Sequence, residues 1–259
     1  MPEDERFSPL AAEAAAPARA LGVDVSFWQD NNATPEQINF FKTRAAGASF
    51  VFIRCSQDIY PDPDFDYNWR QSKAAGLLRG AYHFLDYRVS AKRQVDFFIA
   101  QLRADRGELP PVLDIERHPQ WPLPPAANLH AMVKVFVTEL ENAFGRKPLI
   151  YTNPAMIQYS LNPVPAWMTE YPLWIAHYGV TEPGRFNPWK NWVFWQYTDK
   201  GDGVQFGMES KGLDMNLYNG SESDLRRWAG VGTPPPPDEL TLEQKVALLW
   251  AAHPELHPK

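Results

Sequence analysis

Short apolar runs alternate with longer stretches of helical spacing through the first part of the chain. Leu21–Ser26 puts Val23 and Val25 on one side of a strand and Asp24 and Ser26 on the other. Thr34-Pro35-Glu36-Gln37 combines an N-cap Thr, Pro at N1 and Gln at N3, which predicts a helix running to about Ala46 and stopping at Gly47. Ser49–Cys55 reads as a second strand and Asp64–Ala75 as the next helix, closed by Gly76. Arg79–Leu85 is a third strand; Ser90–Arg103 is an amphipathic helix with Val95, Phe98, Ile99 and Leu102 on one stripe. Pro110–Glu116 is a fourth strand, followed by a long helix over Pro125–Phe144 that ends at Gly145. Pro148–Thr152 is a fifth strand, with a short helix near Pro154–Tyr159.

The rhythm then changes. Pro172–Ala176, Trp192–Tyr197 and Leu213–Leu217 read as three strands with no helix of useful length between them. Alternating β and α elements imply a parallel sheet, and eight strands can close into a barrel. The predicted fold is an α/β, TIM-type barrel over residues 21–230 whose last third has lost its helices, closed by a short helix at Glu222–Trp228. Residues 1–20 are Ala/Pro-rich without periodicity, as a disordered lead-in would be. Residues 231–239 form a Pro-rich linker with a polyproline spacer at Thr233–Asp238. The tail, 240–259, carries a predicted helix over Leu240–Ala252. Its stripe of Leu242, Val246, Leu249 and Trp250 must bury on the barrel, on a second copy through weak self-association, or on a partner.

Composition narrows the functional classes. The hydrophobic fraction of 44% is ample for a large core, and no apolar run approaches the ~18 residues a membrane span needs. A net charge of −6 argues against nucleic acid, whose phosphates demand a basic patch. Ten Trp suggest exposed aromatic faces for stacking on sugars, or simply a large barrel core. The lone Cys55 allows no intrachain disulfide and no Cys-based metal site. The acidic start, with Glu3, Asp4 and Glu5, lacks the basic residues and apolar stretch of a secretory signal.

Candidate chemistry concentrates at strand four. In an extended chain Asp114 and Glu116 lie on one face, roughly 6.5–7 Å apart, while Leu113 and Ile115 pack against the other. Burying like charges together is costly, and a core strand has no need of it. Active sites of barrels gather at the C-terminal strand ends, where Asp24 and Asp214 also fall; closure of the barrel sets these two side by side. Four converging acids suit glycoside hydrolysis, with crowding keeping one of them protonated. The same acids could hold a divalent cation, and Asp24 or Asp214 taken singly could be a strand-end acid paired with a backbone amide. His83 and His177 have no Ser or Cys pattern that would make a triad, and no Gly-rich phosphate loop is present. No cofactor is indicated.

Several motifs fall in order along the chain: Gly22–Ser26 with Trp28-Gln29, Gly80–Phe84, Leu113–Glu116, Ile150–Thr152, Leu173–Ala176, Trp195–Tyr197, and Leu213–Asn216 with Asn219-Gly220. Taken together, they resemble glycoside hydrolase family 25, the N-acetylmuramidase lysozymes found in phage endolysins and secreted proteins. The resemblance covers about residues 20–220 and implies a (β/α)5β3 barrel that hydrolyses the β-1,4 bond between N-acetylmuramic acid and N-acetylglucosamine in bacterial peptidoglycan. It implies that Glu116 is the general acid, that Asp114 stabilises the cationic transition state or orients an N-acetyl group, and that Asp24 and Asp214 complete the acidic floor. Arg54, Tyr82, Tyr151, Trp174 and Gln196 would bind substrate, Arg54 standing where the family more often has Lys. The segment Asp58–Asp66 lacks the Gly-containing turn expected after strand two, and the tail matches no wall-binding repeat. Lack of a signal favours phage-type release to the cell wall. A chitinase-like barrel is the nearest enzymatic alternative, although Val112 stands where such barrels carry a further Asp; a silent glycan-binding barrel is the other.

Overall fold

The structure, a computed structural model, describes residues 18–30, 37–232, 242, 245 and 246. Its strands are β1 (Leu21–Val25), β2 (Ala48–Gln57), β3 (Tyr60–Pro61), β4 (Leu78–Phe84), β5 (Val112–Asp114), β6 (Leu149–Thr152), β7 (Leu173–Ala176), β8 (Phe194–Asp202) and β9 (Gly212–Tyr218). All but β3 form a closed ring, in which β1 pairs with both β2 and β9. β3 adds a short hairpin to the end of β2. Helices α1 (Phe40–Ala45), α2 (Phe65–Ala74), α3 (Ala91–Leu102) and α4 (Ala126–Phe144) follow the early strands, a π-helical turn at Met156–Ser160 follows β6, and α5 (Glu222–Ala229) follows β9. Five strand–helix units and three further strands make the (β/α)5β3 barrel.

Two expectations are corrected. The ring is not parallel throughout: β9 runs antiparallel to both β8 and β1. The connection 203–211 between β8 and β9 is too short for a parallel crossover, which takes a dozen or more residues, and so it makes a hairpin. The first helix begins at Phe40 rather than Thr34: the Asn39 side chain accepts a hydrogen bond from the Lys42 amide at 3.2 Å, and residues 37–39 are not helical. The start signal at residues 34–36, the lead-in up to residue 17, the polyproline spacer and most of the 240–252 helix lie outside the described residues.

Strand alternation sorts the core into two layers. Phe50, Phe52, Val112, Leu149, Trp174 and Phe194 point into the barrel and fill it. Val23, Val51, Ile53, Leu113, Ile115 and Ile150 point outward and pack under the helices. Phe52 stacks on Trp174 with ring centroids 4.3 Å apart. Room for such large rings comes from Gly22 and Gly80, where an added Cβ would lie 2.4 Å from the Phe50 and Phe52 rings respectively.

The barrel's lower end is tied by one buried cation. Arg79, at the start of β4, donates to Asp105 at 2.9 and 3.1 Å, to Glu108 at 2.8 and 3.0 Å, and to the Trp69 carbonyl at 3.1 Å. A guanidinium cannot shed its charge, so burial is tolerable only with these partners. Arg79→Met is expected to cost about 3 kcal/mol, read as a lower urea midpoint at unchanged slope. A midpoint equal to that of the parent protein would show that the cluster contributes nothing net.

Candidate active site

The C-terminal ends of the barrel strands open into a groove of about 550 Å³. Asp24, Arg54, Tyr82, Asp114, Glu116, Tyr151, Trp174, Gln196 and Asp214 all line it. Every site residue singled out from the sequence is therefore brought to one place, though at different depths.

Glu116 and Asp114 are placed by the end of β5. The ladder stops at Asp114, but Ile115 stays anchored: its amide donates to the Tyr151 carbonyl at 2.9 Å, and its carbonyl accepts from Thr152 Oγ1 at 2.8 Å. Ile115 is fully buried under the helices, so its two neighbours must face the groove. Asp114 is the deeper acid, only 5% exposed, and its Oδ1 is buried without a hydrogen-bond partner among the described residues. Burial first, then the charges of Glu116 and Asp24, push its carboxyl well above the usual range. Glu116 sits higher, half-buried, and makes no hydrogen bond among the described residues. Burial, seconded by the charge of Asp24, lifts it to about 7.

Asp24 and Asp214 face each other directly across the β1–β9 ladder. Two carboxylates in such a cross-strand pair repel, and Asp214 responds. Burial, followed by the charges of Asp24, Asp199 and Glu116, raises it to about 8. Asp24 is treated differently. Its Oδ2 accepts from Gln196 Nε2 at 2.8 Å and from Asn216 Nδ2 at 2.7 Å. Both amides are themselves fixed from behind. Tyr151 and Tyr178 donate to Gln196 Oε1, and the Trp174 indole N–H donates to Asn216 Oδ1 at 2.8 Å. An indole N–H can only donate, so the Asn216 oxygen must face it and the NH₂ must face Asp24. The clamp favours the ionised carboxylate and offsets part of the burial that lifts Asp24 to about 6.

Burial also separates the aromatics by role. Trp174 is 2% exposed and forms the floor of the groove rather than a stacking face. Trp28 at the rim is 67% exposed, with the Phe27 ring 4.4 Å away, and offers an open platform. Trp28, Asn216 and Tyr178 were not picked out from the sequence as site residues. Trp28 follows strand one directly, yet alternation alone does not tell a rim residue from a core one. His83, by contrast, is structural: it is fully buried, meets Ser56 and Gln94 through its two ring nitrogens, and is held near 4 by burial. Among the described residues no group of three or more His, Cys, Asp or Glu is arranged to hold a metal ion.

Comparison with known proteins agrees with this geometry. The family profile of glycosyl hydrolases family 25 matches residues 23–205. Lysozyme M1 of Streptomyces globisporus is 30% identical over 212 residues, covering 79% of this chain and 69% of the relative. YegX of Escherichia coli (strain K12), an uncharacterized protein, is 32% identical over 208 residues, covering 79% of this chain and 71% of its own. The crystal structure of the bacterial lysozyme from Streptomyces coelicolor superimposes with a TM-score of 0.71 at 29% identity, covering 82% of this chain and 97% of that one. With its acid-lined (β/α)5β3 barrel, the chain belongs to glycosyl hydrolases family 25.

Proposed function

We propose that the protein hydrolyses the β-1,4 bond between N-acetylmuramic acid and N-acetylglucosamine in bacterial peptidoglycan, with Glu116 as general acid. The observation that carries this reading is Glu116 itself, an accessible carboxyl raised to about 7 above a floor of three further acids. Near neutral pH it holds a proton to give to the leaving sugar oxygen, which is what a general acid must do. Asp114 lies beneath it, where a carboxyl can stabilise positive charge on the sugar ring or orient an N-acetyl group. Asp24, clamped by two amide NH₂ groups, is the acid best suited to remain anionic and supply a fixed negative charge. Asp214 completes that floor, and Arg54, whose Nε donates to Asp62 at 2.8 Å, lines the groove where it would meet the substrate. Trp28 and Tyr82 give the sugars aromatic faces. Relatives carry the printed names lysozyme and N,O-diacetylmuramidase, in keeping with this substrate, and the place of action would be the bacterial cell wall.

Digestion of purified peptidoglycan, with the new reducing ends identified by mass spectrometry, tests the reading. Muramic acid at the new end is expected. N-acetylglucosamine there would point to the other glycosidic bond, and intact wall would leave the groove as a glycan-binding site without turnover.

A further inference from the structure

The groove has a side lobe that the proposed chemistry does not use. This second cavity, of about 380 Å³, shares Phe27, Arg54 and Gln57 with the main groove and continues past them to Asp58, Tyr60, Asp62, Asp86, Arg88 and Trp121. Its charges are satisfied in pairs, with one exception. Asp62 accepts from Arg54 Nε at 2.8 Å. Asp86 takes Arg88 through Nε at 2.9 Å and Nη2 at 2.7 Å, while the same guanidinium lies on the Trp121 ring, 3.9 Å from its centroid. Among the described residues the Asp58 side chain has no hydrogen-bond partner: its Oδ1 is buried without one, and Arg88, though within electrostatic reach, donates through Nε and Nη2 to Asp86. The lining sets three carboxylates (Asp58, Asp62 and Asp86) against two guanidiniums (Arg54 and Arg88), which leaves the lobe net negative.

The backbone makes the placement of that charge more pointed. Asp58 is the first residue of the two-residue turn between β2 and β3, and its φ is +52°. It is the sole non-glycine with positive φ among the described residues. Glycine takes that conformation without strain, whereas Asp holds it at some conformational cost. The segment Asp58–Asp66 that follows β2 contains no glycine to take this conformation. Strain retained at a cavity wall, together with an unpaired carboxylate, is the kind of observation from which function is inferred.

We propose that the side lobe binds an ammonium group carried by the peptidoglycan strand, with Asp58 as its counter-ion. This rests on the muramidase reading, because the lobe opens on the groove that would hold the glycan. A neutral sugar gains nothing from a net negative lobe, and a peptide carboxylate is repelled by it. Wall strands offer amines from two sources: the side chain of a diamino acid in the stem peptide, and a glucosamine that has lost its acetyl group.

Calorimetry with three soluble fragments separates these sources without requiring turnover. The fragments are a disaccharide–tetrapeptide containing lysine, its Nε-acetylated form, and a peptide-free disaccharide with one free sugar amine. The lysine fragment is expected to bind about tenfold more tightly than its acetylated form, as a charge-assisted contact would give. In Asp58→Asn that ratio is expected to fall to about one. Asn tolerates the left-handed turn, and Asp58→Gly, which relaxes it, should show the same loss. Tightest binding of the sugar-amine fragment, lost in the same variants, would keep the ammonium site and assign it to deacetylated glycan. No preference for an amine in the parent protein, no measurable binding of any fragment, or a preference that survives both substitutions would overturn the proposal. Failure of the muramidase reading is recorded separately, as the absence of new reducing ends in the wall digest.

Discussion

Glu116→Gln is expected to lower kcat on peptidoglycan by about 10²–10⁴-fold with little change in KM. Gln has the size of Glu and can still hydrogen-bond to a sugar, but it has no proton to give. Because Glu116 makes no hydrogen bond among the described residues, the exchange breaks no hydrogen bond to them. The same variant should also be more stable at alkaline pH. The folded-state pKa of Glu116 lies near 7, against an ordinary value of 4.5, so the folded protein holds a proton that the unfolded chain gives up. Stability from this group is therefore full below about pH 4.5 and is lost as pH rises through 7. At pH 8 Glu116→Gln should melt higher than the parent, each kcal/mol being worth about 2–4 °C in a chain of this size. The gap should close toward pH 4, where both proteins are neutral at this position. Equal activity would remove Glu116 from the acid role; equal melting curves at pH 8 would show that its carboxylate is better solvated than its burial implies.

Much of this arrangement was legible in the sequence, because the signals there were of the right physical kind. Period-2 alternation at Leu21–Ser26 and Leu113–Glu116 reports which side chains share a face, and the barrel kept those faces. Closure of the ring then brings Asp24 beside Asp214, a contact between distant positions that follows from topology. What escaped had no local signature. The antiparallel β9 depends on the length of its connection rather than on its own apolar pattern. α1 starts at Phe40 behind the Asn39 cap, while the other capping signal, at residues 34–36, lies outside the described residues. Asn216 was quoted as part of a motif without a role, since its work is done through Trp174, a residue far along the chain. Trp174 lines the groove as expected, but as its floor, with the ring stacked on Phe52 and the N–H turned to Asn216. Orientation of a side-chain amide is a tertiary property and leaves no trace in spacing.

That amide clamp makes Asp24→Asn a sharper probe than a simple deletion of charge. An Asn at position 24 can keep its oxygen toward the NH₂ groups of Gln196 and Asn216, so both hydrogen bonds at 2.8 and 2.7 Å survive while the negative charge is lost. If Asp24 supplies fixed electrostatic stabilisation to a cationic transition state, kcat/KM should fall by about 10²-fold. The charge of Asp24 is also the neighbour that raises Glu116, after burial. Removing it lets Glu116 lose its proton more easily, so the folded-state pKa of Glu116 must drop. A general acid works only while protonated, so activity in the parent protein should be present below about 7 and decline above it. In Asp24→Asn that alkaline limb should move to lower pH, by about one unit. A limb that stays in place while the rate falls would separate the two roles, leaving Asp24 as a stabiliser of charge on the sugar with no hold on the acid. A limb displaced upward would contradict the like-charge argument, since no loss of a negative neighbour can make a carboxylic acid weaker.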